Sequence, residues 1–197
     1  MTGETPLRAD AQRKRVQILA AAEDVFRERG ARVSLDEVAK RAGVGIGTLY
    51  RRFPTREDLL AATYSARFVA FAETSRTRSP HLDPSDALRC YLEELIQYSN
   101  LYRGFAASLG TVLQIGTPGC RATLGEGARL LDIAQKAGAV RPDVIFDDLI
   151  CVATAISLAT EQDSSPRPRI VHLVNVFLNG IGMQPNPNPP SQAPNMA

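Results

Sequence analysis

Apolar residues recur at three- and four-residue intervals through nearly every segment of this chain, and nowhere do they alternate as a half-buried strand requires. A backbone with that period can bury its apolar side only by packing helix on helix, so the fold class is all-α. Hydrophobic residues make up 44% of the 197 positions, enough to fill a core and to exclude a disordered chain. No apolar run approaches the roughly 20 residues of a membrane span, and the N-terminus lacks the apolar core of a secretory signal. The expectation is a cytoplasmic protein with no membrane partner.

Punctuation by caps, glycines and prolines divides the pattern. A first helix is expected from about Asp10, as N-cap, to Gly30, with Ile18, Ala22 and Phe26 on one face. Ser34-Leu35-Asp36-Glu37 has the form of a capping box and opens a two-turn helix that Gly43 ends. A third helix runs from about Gly45 to Arg52, with Leu49 and Phe53 turned to the core, and Pro54 stops it. Thr55-Arg56-Glu57-Asp58 opens a fourth. Residues 76 to 84 read as a loop ending in the N-cap and first-turn pair Asp83-Pro84, and helices follow through Tyr98, toward Ile115, over 120–137, over 147–160 and over 168–178. The implied divisions are a flexible arm at 1–9, a helix-turn-helix head at 10–54, a linking helix at 55–75, a helical body at 76–183 and a disordered tail at 184–197.

Charge is unevenly distributed. Residues 1–67 hold 13 Lys+Arg and 9 Asp+Glu, a net +4, whereas residues 68–197 hold 10 and 12, a net −2. No acidic residue lies between Glu37 and Glu57, where Lys40, Arg41, Arg51, Arg52 and Arg56 fall, so this stretch attracts a polyanion. Two short helices around Gly43-Val44, behind a supporting helix, have the layout of a DNA-binding helix-turn-helix. Gly45 and Gly47 bring the backbone of the second helix close to DNA. Thr48 offers a hydroxyl and a methyl, Ile46 an apolar contact to a thymine methyl, and Arg51 or Arg52 a reach to guanine or phosphate. Tyr50 can bond a phosphate, and Ser34 and Thr55 stand at helix starts, where free amides favour phosphate oxygens.

The stretch Ser34-Leu35-Asp36-Glu37-Val38-Ala39-Lys40-Arg41-Ala42-Gly43-Val44-Gly45-Ile46-Gly47-Thr48-Leu49-Tyr50-Arg51-Arg52-Phe53-Pro54-Thr55-Arg56-Glu57-Asp58-Leu59-Leu60 resembles the signature of the TetR family of transcriptional regulators. The resemblance covers about residues 10 to 64. It implies that Ile46 to Arg52 form the recognition helix, that Tyr50 and Thr48 touch DNA and that Arg56 faces a phosphate. Gly45 and Gly47 depart from members with a polar side chain at one of these sites, which leaves base reading to Thr48 and the arginines. It also implies a second domain that dimerises and encloses a small-molecule pocket.

The apolar helices 147–160 and 168–178 are the natural homodimer surfaces. Tyr91, Leu95, Tyr98, Tyr102, Phe105, Leu109 and Leu113 are candidates to line the pocket of an unidentified effector. No cationic cluster marks an acidic effector, so a small, largely apolar molecule is expected. Cys90, Cys120 and Cys151 read as free thiols, His81 and His172 as structural, and neither metal nor cofactor is implied. Gly43 to Thr48 superficially suggests a phosphate-cradling enzyme loop, but it follows a capped helix rather than a strand and lacks the third glycine. No catalytic constellation stands out. The function expected is therefore a repressor released from a palindromic operator by its ligand. The alternative is a helical protein-interaction module without specific DNA binding.

Overall fold

A computed structural model describes residues 6–182. It places nine α-helices there and no strand: α1 (Pro6–Arg29), α2 (Leu35–Arg41), α3 (Ile46–Arg52), α4 (Arg56–Arg78), α5 (Pro84–Asn100), α6 (Leu109–Gln114), α7 (Pro118–Lys136), α8 (Phe146–Thr160) and α9 (Pro166–Ile181). Helix α1 starts at Pro6, four residues before the expected cap and inside the expected arm. Asp10 is therefore an interior residue, and its carboxylate pairs with Lys14 at 2.9 Å, one helical turn on. The first five residues of that arm and the tail at 184–197 lie outside the described residues.

The head is built by α1 to α3 with the start of α4. Ile18, Ala22, Val25 and Phe26 of α1 are buried with Val38 of α2, Leu49 of α3 and Leu59 and Leu60 of α4. Ser34 caps α2 through the Asp36 amide at 3.2 Å, but the second half of the expected capping box does not form. Glu37 pairs with Arg29 of α1 instead. The box at α4 is complete: the Asp58 amide bonds Thr55 Oγ1 at 3.0 Å, and the Thr55 amide returns a bond to Asp58 Oδ2 at 3.0 Å. Gly43 takes φ +64 in the turn between α2 and α3, a left-handed conformation that L side chains resist.

Helix α4 continues through Arg78, so the expected loop at 76–84 shrinks to a 3-10 turn at Ser79–His81 and the cap Asp83. Tyr64, Phe68, Phe71, Ala72 and Ser75 carry its buried face into the body, where α7 packs along it. Gly119 of α7 makes this approach possible, because a Cβ there would stand 2.2 Å from the Ser65 carbonyl oxygen. Helices α5, α7, α8 and α9 close around the same core, which runs without a break from Ile18 to Ile181. His81 and His172 are both exposed, so neither histidine serves the core.

One carboxylate is buried completely. Glu126 of α7 accepts bonds from Arg129 at 2.9 and 2.6 Å, from Arg76 Nε at 3.2 Å and from Ser75 Oγ at 3.1 Å. Burial pushes its carboxyl pKa up, but the hydrogen bonds and charges of Arg129 and Arg76 outweigh that and hold it below its ordinary 4.5. A pKa lowered by folding stabilises the native state above the ordinary value, and that stability is lost as pH falls through the folded value. Thermal unfolding followed from pH 7 to pH 3 is therefore expected to show a falling midpoint below pH 4.5 for the parent chain. Glu126→Gln should be less stable at pH 7 and show a shallower acid slope; parallel slopes would remove Glu126 from the explanation.

Candidate DNA-binding surface and ligand cavity

Leu49 and Phe53, 0% and 2% exposed, fasten α3 to the head and turn its other side outward. Gly45, Gly47, Tyr50 and Arg51 are exposed on that side, with Thr48 and Arg52 half-buried beside them. Tyr50 stands 48% exposed and makes no side-chain hydrogen bond among the described residues. A Cβ added at Gly45 or Gly47 would meet nothing within 4 Å, and neither residue has positive φ. Gly45 is the N-cap of α3, a position that favours glycine over alanine, whereas packing and backbone geometry give no reason for glycine at 47.

Other expected contact groups already have partners. Arg51 donates to Thr48 Oγ1 at 3.0 Å, and Ile46 is half-buried against the core of the head. Ser34 Oγ donates to Asp36 Oδ2 at 3.1 Å and Thr55 Oγ1 to Asp58 Oδ2 at 2.7 Å, so both hydroxyl protons point at carboxylates rather than outward. The Arg56 Nη1 bonds the Ala31 and Val33 carbonyls at 2.8 and 2.5 Å, which makes that nitrogen a clamp between α4 and the α1–α2 turn. Arg41 is likewise tied to Glu28, at 2.9 and 3.3 Å. Lys40 and Arg52 form no ion pair among the described residues.

The body holds a small, partly open cavity of about 10 Å³ lined by Tyr64, Arg67, Phe68, Tyr98, Leu101, Tyr102 and Phe105. Three of the seven expected pocket residues, Tyr98, Tyr102 and Phe105, are brought together there. The other four, Tyr91, Leu95, Leu109 and Leu113, do not line it; they are 0% exposed in the core, and the Tyr91 hydroxyl donates to the Thr123 carbonyl at 2.8 Å. Tyr64, Arg67 and Phe68 of α4 were missed. Their signal is the four-residue spacing of Tyr64 and Phe68, which continues the face begun by Leu60.

Tyr64 stacks on Tyr102 at 4.4 Å and meets Phe105 edge-on at 5.6 Å. Its hydroxyl is buried without a partner, and burial pushes its pKa well above the ordinary tyrosine value. The Arg67 guanidinium bonds the Tyr102 hydroxyl and Glu23 of α1, and its carbon lies 5.9 and 5.7 Å from the ring centres of Tyr64 and Tyr102. The loop after α5 also touches the head directly: the Ala31 amide donates to the Arg103 carbonyl at 2.8 Å. Gly30 permits this, since a Cβ there would stand 2.6 Å from that same oxygen.

A helix-turn-helix head carried by one helix into a larger helical body defines a helix-turn-helix regulator. Residues 18–63 match the family described as bacterial regulatory proteins, tetR family, and residues 83–183 match the transcriptional regulator SbtR-like C-terminal domain. The chain belongs to the TetR family of transcriptional regulators. It is 35% identical over 92 residues to the HTH-type transcriptional regulator TtgR of Pseudomonas putida, a match covering 46% of this chain and 43% of TtgR. The chain thus spans less than half the length of that relative. The crystal structure of TetR regulator SCO0520 from Streptomyces coelicolor is 32% identical, covering 87% of this chain and 99% of that one with a TM-score of 0.54. RolR, crystallised with resorcinol, shares the fold at 23% identity and a TM-score of 0.66, covering 89% and 91% of the two chains.

The glycines of α3 give the sharpest test of this surface. Alanine at position 47 should stabilise the free chain by about 0.5–1 kcal/mol, because glycine costs that much inside a helix. The same Gly47→Ala change should weaken duplex binding by about tenfold, ~1.4 kcal/mol. Calorimetric melting and gel-shift titration read the two effects; unchanged DNA affinity would mean that nothing approaches α3 at that point.

Proposed function

We propose that the chain is a dimeric repressor that holds a palindromic operator through α3 and releases it when a small, largely apolar ligand enters the body. The observation that carries this reading is an outward helix, flanked by cations, with a glycine, Gly47, that nothing inside the molecule requires. In this reading Gly45 and Gly47 give clearance, Thr48, Tyr50, Arg51 and Arg52 meet bases and phosphates, and Ile46 adds a partly covered apolar edge. Ser34, Thr55 and Arg56 hold the helix starts in place for those contacts. The head ends at about residue 54, the body begins at about residue 76, and α4 joins them.

Dimerisation follows from what one chain leaves uncovered. Helix α8 exposes Cys151, Ala155, Leu158 and Ala159 along one stripe, while α9 exposes Val176 beside the half-buried Leu173 and Phe177. Apolar stripes on two adjacent helices are covered when a second copy brings the same pair, making a four-helix bundle. Two copies place two recognition helices on one DNA face, and half-sites must then be spaced by helical turns. A ligand releases DNA only to the extent that it binds the DNA-incompetent arrangement more tightly. Helix α4, with the Ala31–Arg103 and Arg67–Glu23 bonds beside it, links the cavity to the head.

Selection of bound sequences from a random duplex library should enrich an inverted repeat. Recovery of no shared sequence would favour a protein-interaction module over a regulator. A second expectation concerns assembly. Val176 is 57% exposed in the single chain, so Val176→Asp should leave monomer helicity intact, convert the dimer to monomers in sedimentation, and weaken operator binding by at least about tenfold. A Val176→Asp dimer of undiminished affinity would place the interface elsewhere.

A further inference from the structure

We propose that the effector is a planar aromatic molecule carrying one acidic oxygen, which Arg67 and Tyr64 read between α4 and the loop after α5. This deepens the ligand half of the reading above and rests on it. The cavity walls are aromatic on several sides, with Tyr64, Phe68, Tyr102 and Phe105 packed at ring-centre distances between 4.4 and 6.4 Å. Such walls match a flat ring by stacking and edge contact. Two polar groups break the apolar lining in a way that sets the ligand's chemistry. The Tyr64 hydroxyl is buried without a partner, in a residue 3% exposed, and it is a donor in want of an acceptor. The Arg67 guanidinium brings a permanent positive charge and five N–H donors, of which Tyr102 and Glu23 take some.

At about 10 Å³ the cavity holds no more than a water, whereas about 150 Å³ is enough for a benzene ring. Space for a ring lies next door. A groove of about 480 Å³ is lined by Arg67, Ala70, Gln97, Tyr98 and Leu101, and it shares Arg67, Tyr98 and Leu101 with the cavity. Leu101 is 59% exposed, an uncovered apolar side chain at the boundary between the two. Its displacement merges groove and cavity into one slot with Arg67 on the wall. A carboxylate or phenolate entering there takes a charge-assisted bond from Arg67 and a bond from Tyr64, competing with Glu23 and the Tyr102 hydroxyl. Since Glu23 belongs to α1, that competition also loosens a tie between body and head.

Isothermal titration of the full chain without DNA tests this, using benzoate and 2-naphthoate as probes against benzamide and 2-naphthamide. The acids should bind the parent chain about tenfold tighter than the amides, the equivalent of one charge-assisted bond. Arg67→Met should abolish that preference and Arg67→Lys should keep part of it, with melting curves confirming that each variant is folded. Tyr64→Phe should weaken acids and amides alike. Equal binding of acids and amides, an acid preference that survives Arg67→Met, or binding of no probe would each overturn the proposal. Operator binding measured on the same samples separates the two readings. A chain that binds operator and ignores acids keeps its function and loses this effector class; one that prefers acids without binding operator does the reverse.

Discussion

Helix α4 belongs to both halves of the molecule, and its continuous burial is the constraint from which the rest follows. Leu59, Leu60 and Ala61 pack into the head, and Phe68, Phe71, Ala72 and Ser75 pack into the body, with Tyr64 between them. A close-packed interior resists small deformations, so this helix moves as a rod or not at all. Both ends are pinned. The Thr55–Asp58 capping box and the Arg56 clamp hold the first turn to the α1–α2 turn, and Glu126 gathers Ser75 and Arg76 near the last.

The recognition helix and its supports divide stability from function. Leu49 and Phe53 secure α3 from behind at almost no exposure, while Gly47 forgoes the helix stability that alanine would bring. Gly43 is a different case, because its positive φ makes glycine the residue the turn requires. The same division runs through the charged residues: Arg41 and Arg56 hold the head together, and Lys40 and Arg52 have no such partner among the described residues.

Polar contacts at the junction of head and body combine backbone and side chains. Ala31 reaches the Arg103 carbonyl, Gly104 donates its amide to Glu161 at the end of α8, and Ser108 bonds Glu57 in the first turn of α4 at 3.2 Å. The loop after α5 therefore touches the α1–α2 turn, the start of α4 and the end of α8, and contributes Leu101, Tyr102 and Phe105 to the cavity wall. Its position makes occupancy of the cavity and the seating of the head parts of one geometric problem.

Features read correctly from the sequence are those settled within one or two helical turns. The Thr55–Asp58 box, Pro54 as a stop, Gly43 in the turn, Pro84 and Pro166 in first turns, and Leu49 and Phe53 as the hidden side of α3 all depend on neighbours three or four positions away. Where a distant partner competed, local reading failed: Glu37 left its expected capping box for Arg29. The cavity was only half visible because its wall combines one face of α4 with a loop more than 30 positions later, and spacing along a chain does not say which apolar faces meet. Sequence alone determined that the chain is helical, where most helices begin and end, and which short helix faces outward. Tertiary packing decided which arginines are committed to the protein itself and which cation stands in the cavity wall, because those outcomes depend on distances between residues that only the folded chain brings together.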